Sequence, residues 1–416
     1  MSKSLGSTFS KLWTASLASN IADGLLKTAA PLLAATLTKD PIIISLLAAL
    51  VMLPWLLFAI PIGGLIDRMD RRIAIAAANA IRLLAGATLA ITVATGIVNI
   101  PILYFLAFVI GAAEVAYDTA SQSILPLVLK PEQLERGNAR LEIGAVTLGE
   151  FVGAPLSGLL YATAIALPFV SASAGVVLAF ILVLLVPVNY AHDLAKVKTK
   201  EEIAQTGYLE DLRFGIRYLW EDKILLKLVL FTASVGFFFS ATGSTMVLFL
   251  TQELDVPEAA FGFVFTGGAI GSIIGSIAAP KVSKWLGRPK AMAIAITTTS
   301  LFTLGDGFVP NVYWLYAFML LGSLSVTVWN VLLMSTYHQI IPNELFGRIH
   351  GTRRTLVWGL MPIGSLVGGL LATISLRTPM FVGGAICIIL TAFGFRFILS
   401  LGRLMPKNEQ QVEESI

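Results

Sequence analysis

The sequence predicts an all-α membrane protein with twelve transmembrane helices arranged as two six-helix bundles. Three observations lead to this fold class. The composition is too poor in charge for a soluble globule. Twelve long apolar stretches recur along the chain, and the basic residues between them fall almost entirely on one side.

The composition indicates that lipid is the solvent for much of the surface. The chain has 416 residues, of which 56% are hydrophobic and 13% are charged, and its mean hydropathy is +0.83. Soluble proteins carry about 25% charged residues. The single cysteine, Cys387, excludes a disulfide framework and a cysteine metal cluster. The sequence contains neither G-x-x-x-x-G-K-[ST] nor H-E-x-x-H, so we expect no ATP drive, no metal, no cofactor and no enzyme activity.

Twelve stretches are long enough to cross a bilayer, which takes roughly 20 mostly apolar residues. The predicted spans are 13–36, 42–66, 73–96, 101–126, 143–165, 168–189, 224–250, 259–280, 290–309, 312–337, 352–373 and 378–402. A charged stretch separates the sixth span from the seventh. The chain therefore divides into an N-terminal bundle (1–190), a central loop (191–222), a C-terminal bundle (223–404) and a tail (405–416).

The basic residues predict the orientation. With the N-terminus in the cytoplasm, the 29 lysines and arginines divide into 24 cytoplasmic, 2 external and 3 within spans. The external ones are Lys39 and Arg377, and those within spans are Lys27, Arg82 and Arg396. The positive-inside rule then places both termini and the central loop in the cytoplasm. This asymmetry explains the pI of about 9.1 without a nucleic-acid partner.

The central loop contains a helical pattern. Its apolar stripe consists of Leu209, Leu212, Ile216 and Leu219, with Arg213 and Arg217 beside it. This pattern is typical of a helix on the cytoplasmic membrane surface. A solvated charged linker is the alternative.

The two halves share features at an offset of 211 residues. Pro131 then meets Pro342, Gly153 meets Gly364 and Gly158 meets Gly369. Repeats related by an axis along the membrane normal are a known transporter plan, with the binding site between the repeats near the midplane.

Four segments resemble a known family. The segment Gly63-Gly64-Leu65-Ile66-Asp67-Arg68-Met69-Asp70-Arg71-Arg72 is similar to the G-x-L-x-D-R-x-G-R-R signature of the major facilitator superfamily, with Asp70 in place of the second glycine. The segment Gly149-(x3)-Gly153-Ala154-Pro155-(x2)-Gly158 resembles the glycine–proline motif of drug:proton antiporters. The segments 20–24 and 341–348 resemble the branch of macrolide and siderophore exporters. The resemblance implies the major facilitator fold and a transport function.

The same resemblance implies roles for two groups of residues. The gating loop would comprise Gly63, Asp67, Arg68, Arg71 and Arg72, with Arg353 and Arg354 as partners on span eleven. The arginines alone would also satisfy the positive-inside rule, whereas topology requires no acid at Asp67. The packing motif would comprise Gly149, Gly153, Pro155 and Gly158, which would form a tight interface that prevents ion leak. Ordinary packing of small residues is the alternative.

Ionisable residues inside spans are costly and usually functional. The candidates for proton coupling or the substrate cavity are Asp23, Lys27, Arg82, Glu114, Asp118 and Glu150. Glu114 and Asp118 lie one helical turn apart, and two carboxylates so close in a low dielectric do not both ionise easily. Two structural alternatives remain: Asp23 and Lys27 neutralise each other, or Arg82 pairs with an acid of span four.

These observations predict a secondary active transporter that works by alternating access. We expect proton-coupled efflux of amphipathic or cationic small molecules by a monomer in the bacterial inner membrane, with the substrate, protons and the lipid bilayer as its partners. The alternatives are a specific exporter of a siderophore or lipid-like product, and an importer. From a different class, a membrane enzyme or a non-transporting sensor is a further alternative, and polar groups clustered at one membrane face would favour the enzyme.

Overall fold

The computed structural model describes residues 5–66, 69–186 and 208–403. The first seven helices are α1 (Ser7–Leu37), α2 (Pro41–Ile66), α3 (Arg71–Ala94), α4 (Ile100–Val128), α5 (Pro131–Ala145), α6 (Ala154–Thr163) and α7 (Leu167–Leu184). The next seven are α8 (Tyr208–Glu221), α9 (Lys223–Gly243), α10 (Glu258–Leu286), α11 (Arg288–Asp306), α12 (Val312–Ile340), α13 (Asn343–Ala372) and α14 (Thr378–Ser400). Two π-helical segments, Val146–Gly153 and Phe249–Glu253, a short turn, Met246–Leu248, and a 3-10 turn, Leu401–Arg403, complete the described part.

The predicted class of all-α membrane protein is confirmed. Ten helices of the described part are long and apolar enough to cross a membrane. The two remaining predicted spans, 13–36 and 290–309, fall within α1 and α11. The number of twelve spans and the division into two six-helix bundles stay predictions. Most of the central loop and the tail lie outside the described residues.

Two helices differ from their predicted spans. The span predicted at 143–165 belongs to a helical stretch that begins at Pro131, and its first part is polar. The span predicted at 224–250 is interrupted at residues 244–245 and continues as a π-helical segment to Glu253. Hydropathy follows only the apolar part of a helix, which is why it missed the polar start and the break.

Polar side chains begin several helices at the predicted boundaries. Asp70 accepts a hydrogen bond from the backbone N–H of Arg72 at the start of α3, and Asn99 accepts one from Ile102 at the start of α4. Such caps satisfy backbone donors that have no partner in the first turn. Asp70, which replaces the second glycine of the loop signature, therefore acts here as a helix cap.

Contacts between the N-terminal and C-terminal helices involve two main pairs, α2 with α13 and α6 with α10. A continuous buried cluster joins both parts of the chain at the end where α1 leads into α2. It includes Leu33, Ile44, Val247, Phe261 and Met380. This end of the molecule is therefore closed.

The predicted helix of the central loop is present as α8, which packs against α13. Gly215 faces Thr352 of α13, and Leu219 is buried. Ile216 and Trp220 are exposed. The side chains of Leu209 and Leu212 lie outside the described residues, and a membrane-surface position of α8 stays a prediction.

Candidate functional site

A buried ion pair joins α1 to α3. The Oδ1 of Asp23 accepts a hydrogen bond from the Nη2 of Arg82. Arg82 is only 1% exposed, and its Nη1 donates to Ser19 at 2.7 Å and to Asn79 at 3.3 Å. Its guanidinium carbon lies 5.1 Å from the centre of the Tyr117 ring on α4. A charge so far from solvent is retained only when such partners surround it, so this network ties three helices together.

A second ion pair lies one turn further along α1. The Nζ of Lys27 is 3.2 Å from the Oε1 of Glu114 on α4. The side chain of Lys27 is 65% exposed and that of Glu114 is 18% exposed. The lysine therefore faces open space, whereas the acid is largely covered.

The two ion pairs correct the pairings considered from the sequence. The partner of Asp23 is Arg82 rather than Lys27, and the partner of Arg82 is Asp23 rather than an acid of α4. Spacing along one helix suggested the Asp23–Lys27 pair, because residues four apart are neighbours on a helix surface. In the folded chain the two side chains instead reach different neighbouring helices.

Asp118 lies one turn beyond Glu114 on α4. The charged groups that act on it are Glu114, Lys27, Arg82 and Arg354. The predicted proximity of Glu114 and Asp118 is thus present, with cations from α1, α3 and α13 around them.

One face of α4 lines three cavities in succession. We name them by their surroundings: the apolar cavity (about 330 Å³), the central cavity (about 680 Å³) and the N-terminal cavity (about 630 Å³). Leu103, Ala107 and Glu114 line the apolar cavity, and Glu114 and Asp118 line the central cavity. Asp118, Ser121, Gln122 and Leu125 line the N-terminal cavity. Glu114 and Asp118 therefore stand at the two points where neighbouring cavities meet.

The apolar and central cavities lie between the two parts of the chain. The apolar cavity is bounded by α1, α2 and α4 on one side and by Val247, Phe261 and Phe265 on the other. It lies towards the closed end. The central cavity extends from Lys27 in the opposite direction, to Tyr337 and Arg353.

Aromatic residues and Arg353 form the far wall of the central cavity. Trp55 of α2 and Trp358 of α13 both line it, and their rings meet edge to face with 5.1 Å between centres. The guanidinium carbon of Arg354 lies 4.6 Å from the Trp55 ring and 4.4 Å from the Trp358 ring. That of Arg353 lies 4.5 Å from the Tyr337 ring. Such cation–π contacts hold arginine next to an apolar surface.

The remainder of the predicted gating loop is only partly described, since Asp67 and Arg68 lie outside the described residues. Gly63 is near the end of α2. Arg71 donates to the carbonyl of Met69 at 3.3 Å. Arg72 donates to the carbonyl of Val186 at 2.8 Å, which connects the start of α3 to the end of α7.

The predicted packing motif lies where the helix changes its winding. The π-helical segment Val146–Gly153 ends just before Pro155. Proline has no N–H and its ring clashes with the preceding turn of an α-helix, and a π-helical turn relieves this conflict. Glu150 lies in the π-helical segment with an exposed side chain.

The glycines of the motif contact two different helices. A Cβ on Gly153 would meet the Cα of Gly24 and the carbonyl of Ile21 on α1. A Cβ on Gly158 would instead meet the carbonyls of Glu258 and Ala259 on α10. The first contact lies within the N-terminal helices, and the second crosses to the C-terminal ones.

A related contact occurs at the position 211 residues later. A Cβ on Gly369 of α13 would meet the hydroxyl of Ser45 and the carbonyl of Pro41 on α2. At both Gly158 and Gly369, the backbone of the glycine's own helix therefore packs closely against the first turn of a helix from the other part of the chain. Because neither position carries a side chain, both helix pairs approach closely.

Sequence reasoning missed several residues of this region. Trp55 and Trp358 lie in apolar stretches and were not among the candidate residues. Asp306, at the end of α11, was overlooked, and its Oδ1 is buried without a hydrogen-bond partner in the described part of the chain. Within the described ranges, no group of three His, Cys, Asp or Glu residues could hold a metal ion.

Known proteins resemble this chain along nearly its whole length. The family model described as Major Facilitator Superfamily matches residues 12–362 and 228–414. The chain is 22% identical over 395 residues to the multidrug efflux pump Tap of Mycolicibacterium fortuitum, covering 90% of this chain and 94% of that protein. It is 22% identical over 375 residues to macrolide efflux protein A of Streptococcus pyogenes, covering 88% and 89%.

Solved structures share the fold. A bacterial homologue of the iron transporter ferroportin, in an inward-facing state, matches with a TM-score of 0.75 at 16% identity. The match covers 95% of this chain and 100% of that one. At this identity the likeness concerns the fold alone.

Proposed function

We propose that this chain, which belongs to the Major Facilitator Superfamily, exports amphipathic small molecules in exchange for protons. It is a multi-pass membrane protein and a transporter rather than an enzyme. Efflux as its role is supported by the two relatives, which are exporters by name.

One observation carries the proposal: Lys27, Glu114 and Asp118 lie where cavities meet between the two parts of the chain. Charged side chains near the middle of membrane helices mark substrate and proton pathways. An apolar cavity towards the closed end on one side of the Lys27–Glu114 pair and a larger cavity on the other support alternating access around a fixed site.

The lining of the two cavities supports an amphipathic substrate. The apolar cavity offers aliphatic and phenylalanine side chains, and the central cavity adds Trp55, Trp329 and Trp358 beside Asp118. Aromatic faces attract organic cations, and a carboxylate adds the compensating charge. A molecule with an apolar body and a basic group therefore meets complementary surfaces.

The coupling step uses the acids of α4. When the cavity faces the more acidic compartment, water enters and a carboxylate of Glu114 or Asp118 binds a proton. When the site faces the cytoplasm, a cationic substrate or Lys27 favours the ionised carboxylate, and the proton leaves. Each ligand shifts the conformational equilibrium only by its differential affinity for the two states, so the proton and the substrate act in opposite directions through the same charges.

The orientation follows from the basic residues and remains part of the proposal. Both termini and the central loop face the cytoplasm of a bacterial cell, and the central cavity then opens inwards. A cysteine introduced at position 196, in a Cys387→Ser background, would react with an impermeant thiol reagent only after the cells are opened. Labelling of intact cells would contradict this orientation.

A second candidate is favoured by Arg353 and Arg354. Arginine binds carboxylates and phosphates bidentately, and Arg353 lines the central cavity. An exporter of an acidic siderophore or a lipid-like product would use these groups as the counter-charge.

The test is transport by the purified protein in liposomes with an imposed pH gradient. The probes are ethidium, a macrolide and a hydroxamate siderophore. Exchange against protons predicts that a probe accumulates in the acidic compartment and that a protonophore abolishes the accumulation. Accumulation in the alkaline compartment would indicate symport and import, and transport independent of the gradient would reject proton coupling.

A further inference from the structure

The N-terminal cavity is separate from the space between the two parts of the chain. Among the described residues, its lining belongs to α1, α3, α4, α5 and α7. The central cavity, in contrast, is lined mainly by α9, α12 and α13, together with residues of α1, α2 and α4. A substrate in the central cavity would leave the N-terminal cavity empty.

Three helices contribute polar side chains to the N-terminal cavity. Besides Tyr117 and Asp118, its polar lining residues are Ser16, Asn20, Ser121, Gln122, Asn138 and Glu142. Two of them, Asn138 and Glu142, belong to α5, the polar helix that starts at Pro131. Polar groups of this kind hold ordered water, which takes about 30 Å³ per molecule in the liquid. The cavity, at about 630 Å³, therefore accommodates a chain of waters.

Asp118 is reached from both cavities. It lines the central cavity together with Glu114, and it lines the N-terminal cavity together with Ser121 and Gln122. The charged groups around it are Glu114 on its own helix, Lys27 on α1, Arg82 on α3 and Arg354 on α13. Within the N-terminal cavity, Glu142 of α5 is the further acid.

We infer that the N-terminal cavity is a proton pathway that connects Asp118 to the solvent without passing through the substrate site. This inference rests on the proposed function. A bulky substrate in the central cavity covers the face of Asp118 on that side and excludes water from it. The proton released by Asp118 then leaves along the waters beside Gln122 and Asn138. The proton can then leave while the substrate stays bound in the central cavity.

The test uses two changes in the lining and one matched control on the same helix. Ser121→Leu narrows the cavity with a larger apolar side chain, and Gln122→Leu removes a polar group at nearly constant volume. Ser123→Leu is the control, because Ser123 lies outside the lining and bonds only to the carbonyl of Thr119 on its own helix. All three are compared in the full-length protein in liposomes, with ethidium as the probe.

Three measurements separate the outcomes: proton release on adding saturating ethidium, accumulation driven by a pH gradient, and ethidium exchange at equal pH. We expect both lining variants to slow proton release and driven accumulation by about tenfold, equivalent to a barrier higher by about 1.4 kcal/mol. Exchange at equal pH should match that of the wild type, and Ser123→Leu should change none of the three.

Several results would overturn the inference. Wild-type proton release in both lining variants would show that the proton leaves through the central cavity. Loss of exchange together with proton release would identify the N-terminal cavity as part of the substrate path. If the wild-type protein itself moved none of the probes in response to a pH gradient, the proposed function would fail, and this inference with it.

Discussion

The Nζ of Lys27 lies 3.2 Å from the Oε1 of Glu114, at the boundary between the apolar and central cavities. This pair differs from the Asp23–Arg82 pair one turn away on α1, in which the arginine is fully buried. The Lys27–Glu114 pair can open when water or substrate arrives, because the lysine is exposed. Asp23 also lines the apolar cavity, but the fully buried guanidinium of Arg82 cannot lose this partner without leaving its charge in low dielectric. We therefore expect a functional role for the first pair and a structural one for the second.

The cavity-facing pair should control coupling. In the Glu114→Gln variant, Lys27 remains hydrated because its side chain is 65% exposed, so we expect normal expression and normal ethidium exchange at equal pH. Accumulation driven by a pH gradient should be lost. The double variant Lys27→Met/Glu114→Gln should behave in the same way, since it removes both charges. Wild-type accumulation in Glu114→Gln would exclude this carboxylate as a coupling group.

The buried pair should control stability. Asp23→Asn leaves the guanidinium of Arg82 without its anion, and breaking one side of a buried pair costs about 3–5 kcal/mol. We expect a lower yield and a lower melting temperature in detergent. Arg217→Ala, which breaks an exposed ion pair with Glu221 on α8, is the control and should melt like the wild type. Equal melting of all three proteins would contradict the structural role of Asp23.

The contact between α6 and α10 should seal the closed end. A Cβ on Gly262 would overlap the carbonyl of Ala154, with backbone on both sides of the contact. Gly262→Ala therefore forces the helices apart, and overpacking of this kind costs about 1–3 kcal/mol. We expect a faster proton leak through liposomes without substrate. Gly351→Ala, whose Cβ would meet nothing within 4 Å, should leave the leak unchanged. A proton leak no faster than that of the wild type in Gly262→Ala would show that the contact between α6 and α10 does not seal the closed end.

The aromatic wall should contribute to substrate affinity. Trp55→Leu removes one of the two rings that contact Arg354 and opens the lining of the central cavity. Cation–π contacts contribute about 0.5–2 kcal/mol, so ethidium binding should weaken by about twofold to thirtyfold in a fluorescence titration. Trp285→Leu is the matched control because that side chain is 83% exposed. An unaltered affinity for ethidium in Trp55→Leu would show that the aromatic wall does not contribute to substrate binding.

The site could be predicted from the sequence only in part. Charged residues in apolar stretches identified Asp23, Lys27, Glu114 and Asp118, and all four line the cavities. The same reasoning missed Asp306 and Trp55. Their surroundings depend on helices far away in the chain, so no local pattern distinguishes them.

Local properties of the sequence determined the class of the protein. Hydropathy over about 20 residues identifies a membrane helix because the bilayer is thick and apolar, and the loop signature identified the family. The tertiary structure alone decided which charges meet. Asp23 and Lys27 share α1, yet one reaches α3 and the other α4. Helix periodicity defines the face on which a side chain lies, but packing between distant segments defines its neighbour. The succession of three cavities along α4 follows from that packing.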